Sequence, residues 1–184
     1  CPDFVTVQYV DIGHPVSDAY DRSMPTAGIG MGGSVEVCAH WTIRRNHIHN
    51  THAPHDSAGA ADTLIEYNWI GPGWQKETIH FKNATTNTTV RWNIIKDSCQ
   101  GVPWDPTAGG CTAQIAVYDA DTFEVYGNVI WTTKATFHSD GCMLFGSIKP
   151  GNWPIKNVKV FGNTLAGIQD GYSCAINIVS GVSG

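Results

Sequence analysis

Two aliphatic columns, kept through six copies of one short phrase, constrain this chain more than any other feature. The phrases read "TIRRNHI", "LIEYNWI", "TVRWNII", "FEVYGNVI" and "NVKVFGNTL", each centred on an Asn: Asn46, Asn68, Asn93, Asn128 and Asn163. A degenerate first copy, "VTVQYVDIGH", places Val10 at the same point. Three positions before the anchor stand Val7, Ile43, Ile65, Val90, Val125 and Val160. Two positions after it stand Ile12, Ile48, Ile70, Ile95, Ile130 and Leu165. The anchors are separated by 36, 22, 25, 35 and 35 residues. Propellers and helical solenoids space their units more evenly. A constant phrase with variable spacers suits a coil whose strands are fixed and whose turns vary. In such a coil each turn adds a rung about 4.8 Å above the last. Aliphatic residues stack inside, and insertions leave as loops.

The Asn has a physical reason to recur. At a corner it tolerates left-handed backbone, and its amide can bond the turn. Stacked rung on rung, each amide can also donate to the amide oxygen of the next, so a buried ladder is satisfied. The reading is all-β: a single-stranded parallel β-helix of about six rungs with an Asn ladder, right-handed because parallel crossovers strongly prefer that hand. One domain spans 1–184. Two positions before the anchor, Arg44, Glu66 and Arg91 would form an outer ladder of alternating charge. One position before it, Tyr9, Arg45, Tyr67 and Trp92 give way to Gly127 and Gly162, which suggests stacked rings followed by a change of corner shape. Upstream runs such as "SVEVCAH", "ETIHFKN", "AQIAVYD", "CMLFGS" and "CAINIVS" supply a further sheet.

Composition excludes some functions. The net charge is −5, and binding nucleic acid needs a concentrated basic face. No apolar run approaches the roughly 18–20 residues of a membrane span. Six cysteines, Cys1, Cys38, Cys99, Cys111, Cys142 and Cys174, form no CxxC pair, which argues against a zinc knuckle. Cys1 and Cys38 fall nine and eight residues before their anchors, Cys142 and Cys174 open equivalent strands, and Cys99 and Cys111 bracket one loop. Those pairs are the expected disulfides; stacked thiols packing as small hydrophobes are the alternative. Sequons at Asn83 and Asn87 join the cysteines in pointing to a secreted glycoprotein. The chain begins at Cys1 rather than Met, so a removed or omitted upstream segment is expected.

The repeated phrases resemble the rungs of the pectin-lyase-like, right-handed parallel β-helix proteins, over nearly the whole chain. That resemblance is specific for architecture and poor for activity, since the superfamily includes lyases, hydrolases, epimerases, adhesins and tailspikes. Its enzymes are usually about twice this length and close the coil with an N-terminal helix and an ordered tail. Here the first rung starts at once and the chain stops after a core strand. The expectation is a module of a longer protein, or ends covered by neighbouring subunits.

Four groups of residues carry candidate chemistry. In "TIHFKN", His80 and Lys82 share a strand face, and Tyr118 lies on the matching strand of the next rung. They would serve a lyase, which needs a base and a cation or Ca²⁺ to neutralise a uronate carboxylate. A solvated strand face is the alternative. "FHSDGCMLFG" resembles the "NTDG" stretch of polygalacturonase-like hydrolases, with Ser139 for Thr and His138 for Asn. The resemblance implies an acid–base role for Asp140, with Asp119 or Asp121 as partner carboxylate at about 6.5–9.5 Å. That family's "DD", "GHG" and "RIK" motifs are missing, and Asp140-Gly141 also reads as a turn. His47, His49, His52 and His55 in "HIHNTHAPHD" could hold Zn or Cu, or cap turns and face solvent. Trp74, Trp104 and Trp131, with Trp69 and Trp153, fall in or beside turns and loops. Their faces could stack on sugar rings or cover the coil. The expected function is a secreted protein that binds an acidic polysaccharide and cleaves it as lyase or hydrolase. The alternative is a structural or adhesive solenoid that assembles end to end or forms part of a surface fibre.

Overall fold

The computed structural model describes residues 1–13, 27–32, 37–51, 53–73, 77–83, 85–97, 113–132, 142–146, 155–167 and 176–179. In chain order the strands are β1 (Thr6–Gln8), β2 (Asp11–Gly13), β3 (Ala27–Met31), β4 (Cys38–Ala39), β5 (Thr42–Arg44), β6 (His47–His49) and β7 (Ala53–Ala58). Next come β8 (Ala60–Ala61), β9 (Leu64–Glu66), β10 (Trp69–Ile70), β11 (Ile79–Lys82), β12 (Thr85–Arg91), β13 (Ile94–Lys96) and β14 (Ile115–Val117). The last are β15 (Ala120–Tyr126), β16 (Val129–Thr132), β17 (Met143–Gly146), β18 (Lys156–Phe161), β19 (Thr164–Gly167) and β20 (Ile176–Val179). No helix occurs among the described residues, and none is long and apolar enough to cross a membrane.

The strands form three wholly parallel sheets. Sheet I runs β1-β5-β9-β12-β15-β18, with the short β4 and β8 alongside; sheet II runs β2-β6-β10-β13-β16-β19; sheet III runs β3-β7-β11-β14-β17-β20. The chain visits the sheets in rotation, an arrangement consistent with a β-solenoid.

Register explains the repeated phrase. Val7, Ile43, Ile65, Val90, Val125 and Val160 pair as one column of sheet I. Ile12, Ile48, Ile70, Ile95, Ile130 and Leu165 pair as one column of sheet II. Sheet III adds Ile29, His55, Ile79, Ile115, Met143 and Ile176, and beside them Met31, Ser57, Phe81, Val117, Phe145 and Ile178. Parallel strands buried on a common axis favour β-branched residues, which fit the pleat at little rotamer cost. The columns meet in one core, where Phe81 of sheet III sets its edge against Phe123 of sheet I with ring centroids 5.1 Å apart.

The Asn column forms the ladder its sequence suggested. Nδ2 of Asn46, Asn68, Asn93 and Asn128 donates to Oδ1 of the next Asn at 3.1, 2.9, 3.0 and 2.9 Å. Each of these amides also donates backwards to the carbonyl three positions before the preceding anchor, as Asn93 does to Ile65 at 3.0 Å. The left-handed backbone, however, lies one residue earlier than the sequence reading placed it. Tyr9, Arg45, Tyr67, Trp92, Gly127 and Gly162 all have φ between 53° and 66°. The Asn turns its amide into the corner, and the preceding residue bends the chain. A second left-handed column, six before the anchor, comprises Phe4, His40, Asp62, Asn87, Thr122 and Asn157.

This geometry accounts for the glycine at 127. A side chain costs roughly 1–2 kcal/mol in the left-handed region. At Gly127 a Cβ would also stand 2.5 Å from Cδ1 of Trp92, the ring one layer below. The rings do stack where they occur: Tyr67 lies on Trp92 at 5.0 Å, and Tyr126 on Phe161 at 4.7 Å. The expected Arg44–Glu66–Arg91 ladder is divided. Arg91 holds Glu66 at 2.7 Å and also donates to the Tyr126 hydroxyl, whereas Arg44 donates to Gln8. Glu66 is buried, and Nε and Nη2 of Arg91 converge on its Oε2. Cys1 and Cys38 are disulfide-bonded. Cys142 is also disulfide-bonded, while Cys99, Cys111 and Cys174 lie outside the described residues.

Candidate functional site

Alternation along a strand sends every second side chain outward. On sheet III this rule brings chemistry to one face. Register places Asp56 of β7 beside His80 of β11, and His80 beside Ala116 of β14. Lys82, two residues on from His80, shares its face. The Asp56 carboxylate receives both. Its Oδ1 lies 3.1 Å from His80 Nδ1 and 3.0 Å from Lys82 Nζ. Tyr118, just past the end of β14, sets its ring edge against His80 with centroids 5.3 Å apart. Three successive layers thus contribute a carboxylate, an imidazole with an ammonium, and a phenol.

The electrostatics fix roles within the cluster. Burial alone would raise the Asp56 pKa, but the close approach and charge of His80, then those of Lys82, outweigh it and hold the carboxyl well below its usual range. Asp56 is therefore an ionised acceptor at neutral pH. His80 Nδ1 stands 3.1 Å from that carboxylate without aligned hydrogen-bond geometry, and a proton on Nδ1 leaves the lone pair on Nε2. The Lys82 side chain keeps about a third of its surface exposed. Ala113, Ala116 and Leu144 form a small buried apolar patch against Tyr118, which keeps the floor of the site dry.

The remaining candidates are dispersed. Asp119 follows Tyr118 but is buried at the corner leading into β15, with φ of 62°. Asp140, His138, Trp74, Trp104, Trp153 and His52 lie outside the described residues. Trp131 belongs to β16 of sheet II, where it packs edge-on to Trp69, and so lies on a different sheet from His80. Asn83 and Asn87 are both exposed, and the Asn87 amide donates to Asp62.

Of the described histidines in "HIHNTHAPHD", His55 does not join His47 and His49. His47 and His49 share the outer face of β6, with rings stacked at 4.2 Å. His55 is on β7 of sheet III, where alternation turns it into the core between Ile29 and Ile79. It is 1% exposed, bonded to Ser57 Oγ at 2.7 Å, and tilted against Phe81. Burial pushes its pKa down to about 4, against a smaller upward pull from Asp56, so it is neutral at physiological pH. The partner of His47 and His49 is instead Asp11, one layer below. Burial and the neighbouring His49 lower the His47 pKa, with Asp11 opposing.

Asp56 stands in the histidine segment, with nothing in the sequence linking it to His80, and Asp11 lies in the degenerate first phrase, where no Asn marks the layer. The signal that could have found them is the register of the flanking strands, counted from the fixed anchors. Comparison with protein-family models, with curated proteins and with solved structures found no match.

Proposed function

We propose that this chain is a secreted right-handed parallel β-helix of about six rungs, akin to the pectin-lyase-like proteins, that binds an acidic polysaccharide across the outer face of sheet III and cleaves it by β-elimination. The observation that carries the reading is the Asp56–His80–Lys82–Tyr118 cluster, assembled from three layers on one face. In this mechanism Nε2 of His80 removes the proton from the carbon that bears the uronate carboxylate. Asp56 stabilises the imidazolium that forms. Lys82 neutralises the negative charge that develops on the substrate carboxylate. Tyr118 gives its proton to the departing glycosidic oxygen. The C–H and C–O bonds break, a C=C bond forms, and no water is consumed. A Ca²⁺ ion bridging the substrate carboxylate would assist in the same sense as Lys82.

The test is a panel of uronate-containing polysaccharides, with Ca²⁺ and with chelator, read by mass spectrometry and by ultraviolet absorbance of the unsaturated product. Unsaturated ends are expected, and they should be lost in His80→Ala and Tyr118→Phe. Products carrying added water would replace elimination with hydrolysis. Intact substrates throughout would remove the catalytic reading.

A second reading rests on one further observation. Ile176 and Ile178 continue two core columns, yet they are 43% and 74% exposed. A structural or adhesive solenoid stacking end to end would cover them. Filaments or oligomers that grow with protein concentration, and dissolve on Ile178→Asp, would support this. A strict monomer at all concentrations would reject it.

A further inference from the structure

The outer face of sheet II carries a second cluster, separate from the sheet III site and independent of its reading. Asp11 and Gly13 are the ends of β2; His47 and His49 are the ends of β6; the register pairs Asp11 with His47 and Gly13 with His49. Asp11 Oδ1 lies 3.4 Å from His47 Nδ1 and 2.8 Å from His49 Nε2. All three ligand atoms lie within 4.8 Å of one another.

Gly13 is what permits this. Register sets it directly opposite His49, and a Cβ there would stand 2.4 Å from the His49 carbonyl oxygen and 2.8 Å from Cε1 and Nε2 of its ring. Without that Cβ, the imidazole folds back over the layer below and reaches Asp11. Trp69, the register partner of His47 on the other side, sets its edge against the His47 ring at 6.1 Å. The three donors are thus held from both flanks, by a gap on one side and an indole on the other.

The His49 Nε2–Asp11 Oδ1 contact is a hydrogen bond in the absence of an ion, and both contacts to Asp11 are also short enough for atoms sharing one. Nitrogen and oxygen ligands about 2.0–2.2 Å from a Zn-sized ion lie about 2.9 Å apart at right angles and about 3.3 Å apart at the tetrahedral angle. The two separations from Asp11 are close to these values. Two imidazoles and one carboxylate are a donor set for borderline divalent metals rather than for Ca²⁺ or Mg²⁺, which prefer all-oxygen shells. The Asp11 and His47 side chains are 72% and 49% exposed, so an ion can enter, and positions beyond the three protein ligands stay open to water.

We infer that Asp11, His47 and His49 form a binding site for a divalent transition-metal ion, Zn²⁺ or Cu²⁺, with open coordination positions facing solvent.

The test uses the full chain stripped of metal by chelator, titrated with ZnCl₂ and with CuCl₂ by calorimetry, with electron paramagnetic resonance on the copper-loaded protein. One ion per chain is expected, with nitrogen couplings from two imidazoles in the copper spectrum. Asp11→Asn keeps the shape of the carboxylate and should weaken binding by about 10–100-fold. The double variant His47→Ala/His49→Ala should abolish the site. Gly13→Ala should weaken binding while leaving all three ligands in the chain. His40→Ala, an exposed histidine paired with Asp62 on sheet I, should change nothing. Circular dichroism establishes that each variant is folded. The inference is overturned if neither metal binds saturably. It is equally overturned if the double variant binds as tightly as the parent, or if the copper spectrum shows only oxygen ligands.

Discussion

Replacing Asn93 by Ala tests whether the buried amides hold the layers together. Asn93 is 1% exposed. Its Oδ1 accepts from the backbone N–H and from Nδ2 of Asn68, each at 2.9 Å. Its Nδ2 donates to the carbonyls of Ile65 and Arg91 and to Oδ1 of Asn128. Alanine keeps only the backbone bonds of residue 93, its N–H to Asn128 Oδ1 and its carbonyl from the Val129 N–H. Two buried donors on Asn68 are then orphaned, at about 1–3 kcal/mol each. The expected loss is roughly 2–6 kcal/mol, towards the lower half if water enters the vacated volume. The assay is urea unfolding followed by circular dichroism. Asn163→Ala is the control. Asn163 is only partly buried, so water can replace its amide and the loss should be smaller. Asn93→Asp supplies a signed pH test. A carboxylate there faces three acceptors, so its pKa in the folded state rises above the unfolded value of about 3.9. The unfolded chain then ionises first, and the variant loses stability as pH rises above about 4. The reasoning is refuted if both alanine variants lose the same small amount, below about 1 kcal/mol, and the Asp variant shows no pH slope.

Three further outcomes are expected. His55 stays neutral in the fold down to about pH 4 but titrates near 6.5 when unfolded. Its contribution is therefore complete above pH 6.5 and is lost as pH falls towards 4, by on the order of 3 kcal/mol; His55→Leu should flatten that part of the stability–pH curve, and parallel curves for parent and variant would contradict it. Gly127→Ala should lose roughly 1–2 kcal/mol from the left-handed backbone alone, plus the displacement of Trp92, visible as a shift in tryptophan emission; an unchanged spectrum and melting temperature would count against the close approach. Reducing the Cys1–Cys38 disulfide, which spans 37 residues, should cost up to about 4 kcal/mol in the chain-entropy picture, measured by unfolding Cys1→Ser/Cys38→Ser beside the parent.

The sequence made the columns of sheets I and II legible because those strands flank the one tight corner, where no insertion intervenes. Val90 and Ile95 stand at fixed distances from Asn93 in every layer, so alignment by eye finds their partners. Sheet III lies beyond spacers of variable length, and its register could not be counted. That is why His80 and Lys82 could be placed on a common face while their shared partner Asp56 could not be named. The same uncertainty grouped His55 with His47 and His49. His55 is a polar residue in a column of Ile and Met, and only the pairing with Ile29 and Ile79 reveals that it points inward. The left-handed position was misassigned for a different reason. Asn is the commonest non-glycine residue there, whereas here Trp92, Tyr67 and Arg45 take that conformation and leave the Asn side chain free to reach its neighbours.

The layers are joined in series, and this gives the coil an uneven mechanical profile. Under tension along the axis each interface carries the whole load, so rupture begins at the interface with fewest cross-layer bonds. In sheet II, β10 contributes only Trp69 and Ile70 to its neighbours on either side. In sheet I, β12 and β15 are joined by six paired residues. Stretched by its ends, the stack would part first between the layers of Asn68 and Asn93, where the described strands pair fewest residues, and that interface would act as a mechanical fuse while the layers around Val90 and Val125 held.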